Sequence, residues 1–240
     1  MNQLRDALKD LTEKNCEAAL ALSGLLIMST YGLQIASDSL NSAKGKVENR
    51  TSEAEWQVVL PCLEKIFALF RGTIYLYRLG YRESLDRNLA HKLRTSTQLV
   101  DSSAPEDETP GESSLSLLLE EKINTMEDGC SKDMYAEMAN KMKKGLRRIH
   151  LVPGIPLPAD VPKGYVEKLR QRDGVALVLL AHWAVGLHGV GWSWWTRGWG
   201  RRVVGIADEL LCADKEGEEE WGELLEWPRR MVEVEVYVRG

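Results

Sequence analysis

Few residues of this 240-residue chain are spaced for chemistry. Of its four histidines, His182 and His188 lie closest together, six residues apart. On a helix that spacing sets them about 120° apart around the axis, a poor arrangement for gripping one metal ion. Their plainest reading is imidazole packed in or beside a core. The sharper reading is acid–base work, because imidazole exchanges a proton near neutral pH. The cysteines Cys16, Cys62, Cys130 and Cys212 are scattered, so no CxxC zinc site can be drawn. Cys212 has no base near it in sequence and is assigned no reactivity. Glu218-Glu219-Glu220 offers carboxylates, but adjacent acids on a helix usually form a solvated face. A GxSxG elbow, a P-loop, HExxH and a dinucleotide GxGxxG are all missing from the sequence. Neither catalytic residues, nor metal ligands, nor a cofactor are expected.

The tryptophans are the odd feature. There are 8 Trp beside 2 Phe, and seven of the eight fall between Trp183 and Trp227. In GVGWSWWTRGWG, Trp192, Trp194, Trp195 and Trp199 are interleaved with glycines, Gly198 among them. Large flat rings on a Gly-permitted turn can wall an apolar cavity. Their indole N–H groups then give a polar handle to a mostly apolar ligand. Plain packing between two helices explains the rings equally well. Arg197, Arg201 and Arg202 also fit stacking of single-stranded nucleic acid, which the acidity of the chain disfavours.

Helices must position these rings. Met1–Leu40 reads as helix, with Leu4, Leu8 and Leu11 at helical spacing. Ala18–Met28 is apolar on nearly every side; eleven residues are too few to span a bilayer, so a buried core helix is expected. Glu53–Arg71 carries the stripe Trp56, Val59, Leu60, Leu63, Phe67 and Phe70, with a break allowed at Pro61. Gly72–Arg78 is too short to assign, and Leu85–Val100 reads as a further helix. Asp101–Ser114 is acidic, rich in Ser and Pro, and lacks apolar periodicity, so it reads as a disordered linker.

Leu115–Ile149 returns to helix in two pieces, broken near Asp128-Gly129. Met134, Met138, Met142 and Leu146 form its core stripe. The basic run Lys141–Arg148 is either the solvent face of that helix or a nuclear-import signal. Leu151–Gly164, with four Pro and two Gly, reads as an extended connector. Helices are then expected at Tyr165–Asp173, Val175–Leu187, Trp199–Leu211 and Trp221–Trp227, the last closing at Pro228. From Val232 to Val238, valines alternate with Glu and Tyr in a strand-like tail. The expected fold is all-α: an irregular helical bundle with a buried apolar core or pocket. One domain is expected in two helical parts, 1–100 and 115–230, joined by the acidic linker 101–114 and ending in a tail at 231–240.

Composition narrows the partners. A hydrophobic fraction of 44% supports a sizeable core and excludes a wholly disordered chain. A net charge of −5 argues against a bulk nucleic-acid binder, because phosphate contacts need a basic face. Met1–Leu11 alternates charges where a secretory signal needs an apolar core. A reducing, intracellular setting is expected, nucleus or cytoplasm, with no membrane span.

Three stretches carry a family resemblance. The first is Leu11-Thr12-Glu13-Lys14-Asn15-Cys16-Glu17-Ala18 with Ser23 following. The second runs from Trp56 to Phe70-Arg71-Gly72. The third runs from Tyr165 through Leu169-Arg170, Arg172-Asp173 and Leu180-Ala181-His182-Trp183-Ala184-Val185 to Trp194-Trp195, Gly198-Trp199 and Trp227-Pro228. Together they resemble the C-terminal regulatory domain of fungal binuclear zinc-cluster transcription factors, of the sterol uptake control type. The resemblance implies an all-helical, ligand-sensing domain that binds a sterol or terpenoid in a helix-lined pocket. Occupancy then controls nuclear entry and promoter activation. It places His182, Trp183, Trp194, Trp195, Gly198 and Trp199 in or beside that pocket.

The family's DNA-binding module holds two zinc ions with six closely spaced cysteines, against four scattered ones in this sequence. Direct DNA binding by this chain is therefore not expected. It would act through protein partners, as a homodimer or as a heterodimer with a full-length regulator. The alternative is a stand-alone fungal secondary-metabolism enzyme, a cyclase or isomerase. It would reuse the apolar pocket, with His182 and His188 as acid–base groups. A third reading is a remnant of a larger gene.

Overall fold

The computed structural model describes residues 22–33, 51–78, 109–146, 161–189 and 196–233. These residues form helices, and no strand occurs among them. In chain order they are α1 (22–33), α2 (Ser52–Arg78), α3 (Pro110–Leu118), α4 (Gly129–Leu146), α5 (Lys163–Arg170), α6 (Gly174–Gly189), α7 (Trp199–Leu211) and α8 (Lys215–Glu233). A wide π turn, Leu119–Ile123, extends α3. The fold is an all-α irregular bundle around an apolar core.

The core is organised on α6. Every residue from Val175 to Leu187 is buried. A helix that is apolar all round has no face to give to water, so neighbours must surround it. α4, α5, α7 and α8 all pack against it. Its start is set with care. The backbone N–H groups of Arg172 and Asp173 donate to Leu169 O and Lys168 O at 3.1 and 3.0 Å, and Arg172 sits at φ 57°. This left-handed ending closes α5 and delivers Asp173 to the N-cap of α6. There Asp173 Oδ1 accepts from Ala176 N at 3.2 Å and from Tyr135 Oη at 2.7 Å. Tyr165 Oη donates to Ala176 O at 2.9 Å. Two tyrosines, from α4 and α5, thus hold the first turn of α6.

Three expectations need correction. First, Pro61 does not break α2, which runs unbroken through Gly72–Arg78. Pro61 and Gln57 both lie on the exposed face, so water can serve the Gln57 carbonyl that Pro61 leaves without a donor. Second, α3 begins inside the stretch whose composition suggests a linker. Thr109 accepts from Glu112 N, and the Glu112 side chain accepts from Thr109 N, a reciprocal capping box with Pro110 at the first helical position. Local capping and burial of Leu115 and Leu118 outweigh the polar composition. Third, α8 passes through Pro228 to Glu233, so Val232 and Glu233 are helical rather than part of a strand-like tail.

α5 starts at Lys163, just inside the expected connector. Met138, Met142 and Leu146 are buried core residues with Met134 packed beside them, as their spacing suggests. On α1 only one side is buried: Ile27 and Tyr31 face the core, whereas Leu25 and Leu33 are 59% and 71% exposed. The helices expected over Leu4–Leu11 and Leu85–Val100, the linker residues 101–108 and the tail residues 234–240 lie outside the described residues. None of the described helices is long and apolar enough to cross a membrane.

Candidate functional site

His182 is the one histidine buried in the middle of α6, and it is where α3, α6 and α8 meet. Its Nδ1 lies 2.9 Å from Val178 O. A carbonyl only accepts, so Nδ1 carries the ring proton. Nε2 is then the acceptor, and Ser114 Oγ of α3 donates to it at 2.9 Å. The Trp227 ring of α8 stacks on the imidazole, with centroids 5.4 Å apart and planes 24° apart. Complete burial pulls the His182 pKa down to about 4, so the ring is neutral at physiological pH.

Ser114 has a second acceptor within reach, Leu224 O at 3.3 Å. Leu224 stands four residues before Pro228, so this is the carbonyl that the proline leaves without a helical donor. One hydroxyl hydrogen therefore faces two acceptors. While the imidazole is neutral, the shorter contact to Nε2 takes it. A proton added at Nε2 would reverse that bond and free the hydroxyl to turn to Leu224 O. Beside this network Gly111 lies against the Trp227 indole, where an added Cβ would stand 2.5 Å from the ring.

A serine and an imidazole at this distance have the geometry of a nucleophile and its base. Three features oppose that use. The base is too weak, with its conjugate acid near pH 4. Its orienting partner is a backbone carbonyl and not a carboxylate. The ring is wholly buried under Trp227. The pair acts as a polar strut between three helices.

The other expected ligand residues meet different neighbours. Trp183 of α6 packs edge-on against Phe67 of α2, centroids 5.3 Å apart. Phe67 also meets Tyr165 of α5 at 6.4 Å. Trp199 opens α7 and meets Tyr31 of α1 edge-on at 5.1 Å, its Nε1 donating to Tyr31 O at 3.4 Å. Gly198 precedes it at φ 81°, the left-handed conformation that glycine adopts without strain. His182, Trp183 and Trp199 thus tie α6 and α7 to four separate helices: α3 and α8, α2, and α1. Trp194 and Trp195 lie outside the described residues. His188 is half-buried beside Gly200, at the α6–α7 crossing.

A second cluster joins α7 to α8. Asp208, Cys212 and Glu218 bring ligand atoms within 4.8 Å of one another. The Arg229 guanidinium already serves both carboxylates. Nε donates to Asp208 at 2.7 Å, and Nη1 and Nη2 donate to Glu218 at 2.9 and 2.7 Å. Hydrogen bonds from Arg229, then from Cys212, pull Glu218 down to about 2. Burial, then the bond to Glu218, pushes the Cys212 thiol up to about 12. A protonated thiol beside a neutralised carboxylate pair suits an ion-paired clasp better than a metal. Of the neighbouring acids, Glu219 pairs with Lys215 at 3.5 Å and Glu220 with Lys122 at 3.0 Å, both exposed.

The chain matches no family model, no curated protein and no solved structure. Function must be read from these residues. Ser114, Leu224 and Glu112 were not visible as site residues in the sequence. The Thr109-Pro110-Gly111-Glu112 capping signature was a readable signal. The pairing of Ser114 with His182, 68 residues away, left none.

Proposed function

We propose that this chain is a helical regulatory module whose core answers to an apolar small molecule, a sterol or terpenoid. On this reading it works inside the cell, in nucleus or cytoplasm, through protein partners and without touching DNA itself. The resemblance to the effector domain of zinc-cluster regulators motivates the reading. The observation that carries it is the way α6 and α7 are joined to the rest of the bundle. Three aromatic contacts, Trp183–Phe67, Trp199–Tyr31 and His182–Trp227, link them to separate helices. A guest that slides between Trp183 and Phe67 exchanges one apolar contact for another, and between Trp199 and Tyr31 the lone hydroxyl of a sterol or terpenoid can take over the indole N–H that now donates to Tyr31 O. The guest would favour one packing of α1 and α2 against α6 and α7 over another, which is a population shift.

The test is titration of the purified chain with a panel of sterols and terpenoids, followed by tryptophan fluorescence and thermal melting. A true ligand at a hundred times its Kd raises stability by about 2.7 kcal/mol. Trp199→Ala should weaken that response more than a surface substitution does. If no compound moves the melt, and affinity capture recovers no DNA-binding partner, the reading fails.

A further inference from the structure

We propose that Thr109 is the acceptor for a proline-directed protein kinase, and that phosphate there loosens α3 from His182 and Trp227. The inference does not rest on the ligand reading; it concerns a different residue and a different chemistry.

The sequence singles out the position. Of the eight prolines, only Pro110 follows a serine or threonine. Proline after the acceptor is the feature that proline-directed kinases select, and it forces the acceptor into extended backbone. Thr109 has that shape already, at φ −71° and ψ 154°. It is half-buried, next to the exposed Pro110. Glu106-Asp107-Glu108 precedes it.

The structure says what a phosphate would do. Thr109 Oγ1 lies 3.0 Å from Glu112 Oε2, and the same oxygen accepts from Thr109 N at 3.0 Å. Glu112 is wholly buried. In the transfer, the γ-phosphoryl group of ATP leaves the bridging oxygen, which departs with ADP. A new P–O bond forms at Thr109 Oγ1, and the hydroxyl proton passes to the kinase's base. A group carrying nearly two negative charges then stands against a buried carboxylate. At a half-buried position the positive end of α3 favours the phosphate by no more than about thirtyfold. Like charges about 4 Å apart near a protein surface are disfavoured by about two to three orders of magnitude. Repulsion wins, Glu112 swings out, and both halves of the capping box are lost.

What α3 holds explains why this would matter. Gly111 lies under the Trp227 indole, and Ser114 donates to His182 with the Leu224 carbonyl within reach. Losing the first turn of α3 withdraws the helix that joins α6 to α8 at their buried histidine. Phosphorylation is thereby coupled to the packing of the core.

The full-length chain is incubated with Mg-ATP and a purified proline-directed kinase, and the modified residue is mapped by mass spectrometry. Amide hydrogen exchange across Glu112–Leu118 is then compared before and after. The expected result is phosphate on Thr109 and exchange about tenfold faster through α3, the size expected from losing one helix cap. Thr109→Asn keeps a capping side chain, so it should fold and exchange like the unmodified chain and take no phosphate at 109. Pro110→Ala should slow modification of Thr109 at least about tenfold, since proline selects the site. Absence of phosphate at Thr109, or phosphate there with unchanged exchange in α3, overturns the proposal.

Discussion

The hydroxyl of Ser114 stands where Pro228 has no N–H to offer, 3.3 Å from the Leu224 carbonyl and 2.9 Å from His182 Nε2. A proline within a helix usually leaves an orphan acceptor and a kink. In α8 a side chain from another helix is within reach of that acceptor. Ser114→Ala should therefore strand a buried imidazole nitrogen and cost about 1–3 kcal/mol in urea denaturation. Pro228→Ala returns a backbone donor to Leu224. In that background the serine substitution should cost about the same, because the one hydroxyl hydrogen goes to Nε2 and not to Leu224. A clearly smaller cost in the Pro228→Ala background would mean that Ser114 gives its hydrogen to Leu224 and not to His182.

The neutral state of His182 makes stability depend on pH. Its folded value is about 4, against an ordinary 6.5 in an unfolded chain. Between those values the unfolded chain binds the extra proton, so stability rises with pH. The contribution is complete above about pH 6.5 and drains away as pH falls towards 4. Its size is on the order of 3 kcal/mol. Glu218 acts in a lower window: held at about 2 against an ordinary 4.5, it contributes above 4.5 and is lost as pH falls towards 2. Urea midpoints measured from pH 7.5 to 4.5 should fall for the native chain and stay nearly flat for His182→Gln. Parallel slopes would show that His182 is not the group responsible.

Much of the bundle is legible because it follows from single-helix patterns. The unbroken apolarity of Val175–Leu187 has no outlet but complete burial. The Met138–Met142–Leu146 stripe falls on one side of α4 and is buried there. What failed was judged on residue type without a tertiary partner. Pro61 and Pro228 read as breaks, yet one faces solvent and the other has Ser114 beside its orphan carbonyl. Asp101–Ser114 read as linker because its average is polar, although Thr109 and Glu112 spell a helix start. The tryptophans were grouped because they are close in sequence. On adjoining helices, Trp183 and Trp199 reach Phe67 and Tyr31, which belong to different helices.

The cysteines should differ sharply in reactivity. Cys130 is exposed at the start of α4, whereas the Cys212 thiol is half-buried and pushed up to about 12. At pH 8 only about one Cys212 in ten thousand is thiolate, the form that reacts. Iodoacetamide labelling mapped by mass spectrometry should reach Cys130 at least about tenfold faster than Cys212. Comparable rates would contradict the burial and the Glu218 bond that protect Cys212.

Two glycines of α7 should respond to alanine with opposite signs. Gly200 sits where α7 crosses α6, and a Cβ there would stand 2.6 Å from Ala184 O and 2.6 Å from His188 Cβ. Neither the carbonyl nor the Cβ can step aside without moving α6. Gly200→Ala should therefore destabilise by about 1–3 kcal/mol. Gly205 lies further along the same helix with nothing within 4 Å of an added Cβ. There alanine only removes freedom from the unfolded chain, and Gly205→Ala should stabilise by about 0.5–1 kcal/mol. Gly198→Ala also has space, but its φ of 81° is strained for alanine, so a loss of about 1 kcal/mol is expected. Helix propensity alone would make both α7 substitutions favourable. A melting temperature that falls for Gly200→Ala and rises for Gly205→Ala separates close backbone contact from propensity. A rise in both would mean that α6 and α7 do not approach this closely.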